Sequence, residues 1–158
     1  MPVLSLPAAA AFVEAERRLG KVVVFTNGVF DLLHIGHLRY LNYARSLGGV
    51  LVVGVNSDAS VRRLEKGPDR PVTPESDRAE ILASLSCVDG VIVFHEDTPA
   101  AVVGQLQPDV LVKGADWEGR DIPGRESVEQ RGGRVVFAPF ESGYSTTSLL
   151  ETIRKSRP

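Results

Sequence analysis

The sequence predicts an α/β fold, a doubly wound parallel sheet of five strands, and three observations carry that expectation. Short apolar runs of strand length alternate with segments of helical periodicity along the chain. One run, Val50–Leu51–Val52–Val53–Gly54–Val55, is apolar without interruption, as a central parallel strand is when helices cover both faces. No internal repeat or low-complexity linker divides the 158 residues, so one domain is expected over 1–158, with 1–20 as an N-terminal helix and lead-in.

Residues 8–19 have helical spacing, with Phe12, Ala15 and Leu19 on one side and Gly20 as the C-terminal cap. The β-branched and aromatic run that begins at Lys21 is the first strand. It breaks at Asn27–Gly28, and a helical pattern resumes from about Gly36, turning Leu38, Leu41 and Ala44 inward before Gly48–Gly49. The second strand, 50–55, ends in the polar cap Asn56–Ser57–Asp58. Residues 62–73 are irregular and basic and read as a loop; Thr73–Pro74–Glu75 then starts a helix with a hydroxyl cap and Pro at the first position. That helix carries Arg78 and buries Ala79, Leu82 and Leu85. Residues 91–94 form the third strand, and Asp97–Thr98–Pro99 caps a helix to about Leu106. The fourth strand is 109–112 and the fifth 134–137, after a helix or loop over 124–131. A terminal helix carries Leu149, Leu150 and Ile153, and Ser148 with Glu151 has the spacing of a capping box.

Composition narrows the function classes. Hydrophobic residues make up 43% and charged residues 24%, ordinary for a globular protein, and the net charge of −2 argues against a nucleic-acid surface, which leans on a basic excess. A single cysteine, Cys87, excludes an internal disulfide framework and fits a reducing compartment. The N-terminal run lacks a basic region and is followed by Glu14 and Glu16, so no signal peptide is expected, and no stretch has the length of a membrane span. The expected location is the cytoplasm.

The chemistry concentrates where strands end. After the first strand, Gly28 permits close backbone approach, a helix N-terminus favours an anion, and His34 and His37 supply two of the three histidines. Zinc is a poor fit there, because Cys87 brings no second thiolate and His95 follows a different strand. Lys66–Gly67 puts a cation on a loop able to close over a polyphosphate. Lys113–Gly114 ends the fourth strand, and Ser145–Thr146–Thr147–Ser148 offers more hydroxyls at a helix start than capping needs. The expectation is that these remote segments converge on one anionic guest.

These segments resemble the cytidylyltransferase-like nucleotidyltransferases. Residues 28–37, Gly-Val-Phe-Asp-Leu-Leu-His-Ile-Gly-His, are similar to the family's G-x-F-D-x-x-H-x-G-H signature, Lys66–Gly67 to its loop lysine, and Arg78 to its helix arginine. Lys113–Gly114–Ala115–Asp116–Trp117 is similar to its strand-four motif. Tyr144–Ser145–Thr146–Thr147–Ser148 resembles its C-terminal hydroxyl motif, with Tyr144 where Ile or Cys is more usual. The resemblance runs from about residue 21 to 155. It implies a Rossmann-like sheet of nucleotidyltransferase type and in-line attack of a phosphate oxygen on the α-phosphorus of a nucleoside triphosphate, with loss of pyrophosphate. It implies catalytic roles for His34, His37 and Lys66. Nucleotide contacts are implied for Thr26, Asn27, Gly28, Phe30, Gly36, Lys113, Gly114, Ser145, Thr146 and Thr147, and acceptor contacts for Asp31, Asn56, Asp58, Arg78, Asp116 and Trp117. No dedicated metal site on the protein is expected, since Mg²⁺ travels with the triphosphate. His34–Ile35–Gly36–His37 also resembles the motif of class I aminoacyl-tRNA synthetases, but the acidic balance and the lack of their lysine-rich loop speak against tRNA.

Within the family, Arg70–Pro71–Val72–Thr73–Pro74, Glu96–Asp97–Thr98–Pro99 and Val112–Lys113–Gly114 look most like the branch that uses ATP to convert heptose 1-phosphate to ADP-heptose. Asp116–Trp117–Glu118–Gly119 looks instead like the glycerol-3-phosphate cytidylyltransferases, which use CTP, so both nucleotides and both acceptors stay open at this point. A third reading, a nucleotide-binding module without catalysis, is disfavoured because binding alone does not need both histidines, Lys66 and the hydroxyls. The resemblance also implies a homodimer, no nucleic-acid or membrane partner, and an upstream sugar kinase, which many bacteria fuse to this domain and which here is expected to be separate.

Overall fold

Successive residues of the strands divide between two cores, which is what places one sheet between two helical layers. The computed structural model describes residues 3–139 and 142–156; Met1 and Pro2 of the expected lead-in, and Phe140, Glu141, Arg157 and Pro158 of the expected domain, lie outside the described residues. In β1 (Val23–Gly28) and β2 (Val50–Asn56), Val24, Leu51, Val53 and Val55 face one core, shared with Leu41, Ala44, Ala79 and Leu82. Val23, Phe25, Val50 and Val52 face the other, with Ala9, Val13, Val102, Val103, Leu106 and Val128. Helices α2 (Ile35–Ser46) and α4 (Glu75–Ala83) therefore cover one face, and α1 (Leu6–Arg18), α5 (Ala100–Leu106) and α6 (Arg125–Gln130) the other.

With β3 (Gly90–Phe94), β4 (Val110–Gly114) and β5 (Arg134–Ala138), the strands make one all-parallel sheet in the order β3-β2-β1-β4-β5. This is the doubly wound arrangement the alternation predicts and the Rossmann-like sheet the resemblance implies. Val24 pairs with Leu51 on one side and Val110 on the other, so β1 is central. The chain moves outward from β1 through β2 to β3, then crosses back to lay β4 on the far side of β1. The carboxyl ends of β1 and β4 are thus the topological switch point, where a ligand crevice opens. Among the described residues, no helix is long and apolar enough to cross a membrane.

Several local expectations need correction, and four of them bear on where elements start and stop. β1 does not break at Asn27–Gly28; both pair with β2, opposite Gly54 and Val55. Asn56–Ser57–Asp58 is more than a strand cap, because Ser57 is the N-cap of a short helix, α3 (Asp58–Arg63), whose six residues are too few to show a period. The cap of α4 is Pro74, with no side-chain hydrogen bond, rather than Thr73. The last helix, α7 (Thr146–Lys155), is capped by Ser145 in a box with Ser148, one turn ahead of the expected Ser148–Glu151 pair.

Candidate active site

The loop that leaves β1 is held in a strained form. Phe30 and Leu32 both take left-handed φ values, 51° and 50°, which cost non-glycine residues about 1–3 kcal/mol each. Between them Asp31 supplies the compensation. Its carboxylate accepts from Arg70 Nε at 2.8 Å and from the main-chain N–H groups of Val72 (2.8 Å) and Thr73 (3.0 Å). Its carbonyl accepts the Thr146 hydroxyl at 2.6 Å. Burial raises the Asp31 pKa, but the two main-chain donors and the Arg70 charge outweigh it and hold the carboxyl below its ordinary range. One buried residue thus joins the signature loop, the 70–73 segment and the start of α7.

The histidines form a capping box made of imidazoles. His34 is the N-cap of α2 and accepts the Gly36 N–H on Nδ1 at 3.1 Å, while His37 Nδ1 accepts the His34 N–H at 3.3 Å. A hydroxyl or carboxylate usually fills this role. With both Nδ1 atoms accepting, each neutral ring carries its proton on Nε2, the nitrogen left for a ligand. The rings stack with centroids 3.9 Å apart, and Phe30 packs on His37 at 5.5 Å. Burial lowers the His34 pKa; burial first and His34 second push His37 down to about 4. At neutral pH the pair therefore presents two uncharged N–H donors.

Above the pair lies a cleft of about 670 Å³ at the carboxyl edge of the sheet. It brings together most of the expected residues: Phe30, Asp31, His34, Gly36 and His37 after β1, Lys66 from the 62–73 loop, Gly114 and Asp116 after β4, and Ser145, Thr146 and Thr147 at the start of α7. Its approach is tight at Gly36, where a Cβ would stand 2.9 Å from His34 Cε1 and 3.0 Å from Tyr144 Cβ. The hydroxyls are less free than their number suggests, since Ser145 closes the cap with Ser148 and Thr146 is committed to Asp31. The first main-chain N–H groups of α7 remain without intrahelical partners.

Eight expected contacts do not line this cleft. Thr26 is fully buried, its hydroxyl 2.6 Å from the Tyr40 hydroxyl and 3.0 Å from the Val112 carbonyl that accepts it. Arg78, expected at the acceptor, is the largest fully buried side chain and spends its guanidinium on the carbonyls of Thr73, Val29 and Asn56 and on Asp58 Oδ1 at 2.8 Å. Asn56 is likewise buried, donating to Ser60 at 2.9 Å, and Asp58 answers Arg78. These groups tie β2, α3 and α4 to the loop after β1. Gly28 lies against the Phe30 ring. Lys113 is buried, with Nζ donating to Asn27 Oδ1 at 2.6 Å and lying 4.8 Å from the centroid of Trp117; burial lowers its pKa to about 8. Asn27, Lys113 and Trp117 thus engage one another outside the lining.

Other residues enter the cleft unforeseen: Arg39, Tyr40 and Tyr43 on α2, and Arg70. The helical signal sorted α2 only into an inner and an outer face, and it could not see that the outer face near the N-terminus looks across the cleft at α7. Arg39 stacks over Tyr144 with its guanidinium carbon 5.5 Å from the ring centroid.

Known proteins are similar to this chain in sequence and in fold. The cytidylyltransferase-like family model matches residues 25–151. The chain is 55% identical over 152 residues to the bifunctional protein HldE of Geotalea uraniireducens, a match that covers 96% of this chain but 31% of that protein. It is 53% identical over 141 residues to the D-beta-D-heptose 1-phosphate adenylyltransferase of Bordetella bronchiseptica, covering 89% of this chain and 87% of that one. Among solved structures, a lipopolysaccharide core biosynthesis protein from Thermoplasma volcanium superposes with a TM-score of 0.65 at 30% identity, over 80% of this chain and 100% of that chain.

Proposed function

This chain belongs to the cytidylyltransferase-like family, and from that premise we propose that it transfers the adenylyl group of ATP to a heptose 1-phosphate, giving ADP-heptose and pyrophosphate. The observation that carries the reading is the meeting of the imidazole pair, the Lys66 loop and the first turn of α7 at one cleft, in a chain whose full-length relative in Bordetella bronchiseptica is named for that reaction.

The sugar phosphate already carries an ionised oxygen, so the protein's task is positioning and charge stabilisation rather than proton removal. That oxygen attacks the α-phosphorus, the bond to the β-phosphate oxygen breaks opposite it, and pyrophosphate leaves with the bonding electrons. The Nε2–H groups of His34 and His37 donate to α-phosphate oxygens, where negative charge accumulates in the pentacovalent transition state. A preorganised donor of this kind is worth roughly 3–4 kcal/mol of barrier. Lys66 and the N–H groups at the start of α7 hold the β- and γ-phosphates. Mg²⁺ would arrive on the triphosphate's own oxygens and supply charge neutralisation; Asp31 is occupied by three N–H donors, which among the described residues leaves Asp116 as the cleft carboxylate able to meet it. A kinase that phosphorylates the anomeric hydroxyl of the sugar would supply the acceptor.

The glycerol-3-phosphate reading rests on the resemblance of Asp116–Trp117–Glu118–Gly119; of these Asp116 lines the cleft, while Trp117 is engaged with Lys113 outside the lining. The test is pyrophosphate release with each of the four common nucleoside triphosphates against heptose 1-phosphate and glycerol 3-phosphate. ATP with heptose 1-phosphate should stand alone; preferred turnover of CTP with glycerol 3-phosphate would overturn the proposal.

A further inference from the structure

Arg70 comes from the irregular 62–73 segment, yet its side chain is only 10% exposed. Its Nε donates to Asp31 Oδ2 at 2.8 Å, and Asp31 is itself immobile, with no exposed side-chain surface and two main-chain donors of its own. No group among the described residues accepts from the two terminal guanidinium nitrogens, and Arg70 is part of the cleft lining. An arginine pinned at Nε cannot swing away, and it keeps a fork of N–H donors with the geometry of a phosphate edge.

The neighbours of this fork identify the anion it meets. Through its carbonyl, Asp31 also holds Thr146 at the first turn of α7, so the residue that anchors Arg70 anchors the proposed receptor for the β- and γ-phosphates. Lys66 is close enough for the Arg70 charge to lower its pKa, after burial, and His37 feels the same charge. The pairing with Asp31 makes the unit nearly neutral, so it selects by hydrogen-bond geometry more than by net charge.

We propose that Arg70 is a further substrate contact, a clamp on the pyrophosphate half of the nucleoside triphosphate that stays with the leaving group as it departs. The inference rests on the nucleotidyl-transfer reading, but its test does not require the acceptor or the base to be right. Inorganic pyrophosphate is the probe. Calorimetric titration should show it binding Arg70→Lys and Arg70→Met roughly ten- to a hundredfold more weakly than the parent protein, the value of one or two hydrogen bonds to a charged group. KM for heptose 1-phosphate should change less than about twofold, as expected when only the other substrate is gripped. Because removing Arg70 leaves Asp31 buried without its ion partner, the unaltered protein provides a second measurement. Pyrophosphate should protect Arg70 from phenylglyoxal, read by peptide mass mapping. Undiminished pyrophosphate affinity in the variants, a defect confined to the sugar phosphate, or Arg70 modified equally with and without pyrophosphate would each overturn the clamp. A protein that binds pyrophosphate through Arg70 but turns over no ATP with heptose 1-phosphate would keep the clamp and refute the proposed function.

Discussion

Thr146 donates its hydroxyl to the main-chain carbonyl of Asp31 at 2.6 Å, fastening the start of the last helix to the loop that leaves the first strand. The bond is buried, and its loss leaves an acceptor dry. Thr146→Val, which keeps the shape and removes the donor, should cost about 1–3 kcal/mol in urea unfolding. It should also raise KM for ATP more than it lowers kcat, because the α7 turn is placed but not consumed in the chemistry. Steady-state kinetics beside the unfolding curve checks both.

Gly36 lets the histidine turn and the Tyr144 segment come together. A methyl group there would sit 2.9 Å from His34 and 3.0 Å from Tyr144, inside contact distance. Gly36→Ala should leave the sheet folded by circular dichroism and lower turnover by about 100-fold, the scale of an ångström-level misplacement of catalytic groups.

Arg78 reads differently in place than in sequence. Its four hydrogen bonds knit β2, α3, α4 and the loop after β1, and Asp58 is its ion partner. Arg78→Met should therefore destabilise the fold by roughly 3–5 kcal/mol, as breaking a buried pair does, measured by denaturant unfolding. Selective loss of acceptor affinity in a variant of normal stability would restore the substrate role.

Lys113 gives a pH signature. Burial lowers its pKa to about 8 in the folded protein, while an unfolded chain holds that proton to the ordinary lysine value of 10.5. Between those values the unfolded state binds more protons, so stability from this group rises with pH, and the cost of burying the charge persists below pH 8. Trp117, the only tryptophan, lies under the ammonium. Its fluorescence should show a step near pH 8 that Lys113→Met abolishes.

The fold was legible because each strand is built around a short apolar run, and the central parallel strands, buried on both faces, leave that mark without help from neighbours. The lining of the candidate cleft was legible where it comes from neighbouring residues, as with His34, Gly36 and His37 and with Ser145, Thr146 and Thr147. It was not legible where a role depends on burial or on a distant partner. Arg70 and Arg78 lie within one short stretch and look equally available in sequence. One is tied by its Nε alone and reaches the cleft, and the other is wholly absorbed by carbonyls and Asp58. The burial of Thr26 is likewise invisible in the sequence, because nothing in a strand pattern reveals that Tyr40, one helix later, returns to cover it.

On the proposed function, catalysis turns on the Nε2–H of His37 acting on the α-phosphate. His37→Asn keeps a side-chain acceptor for the His34 N–H and removes that donor. Pyrophosphate release at saturating ATP and heptose 1-phosphate should fall by about 10²–10³-fold with the fold intact. Turnover equal to that of the unaltered protein would contradict the assignment of this cleft as the place where the chemistry occurs.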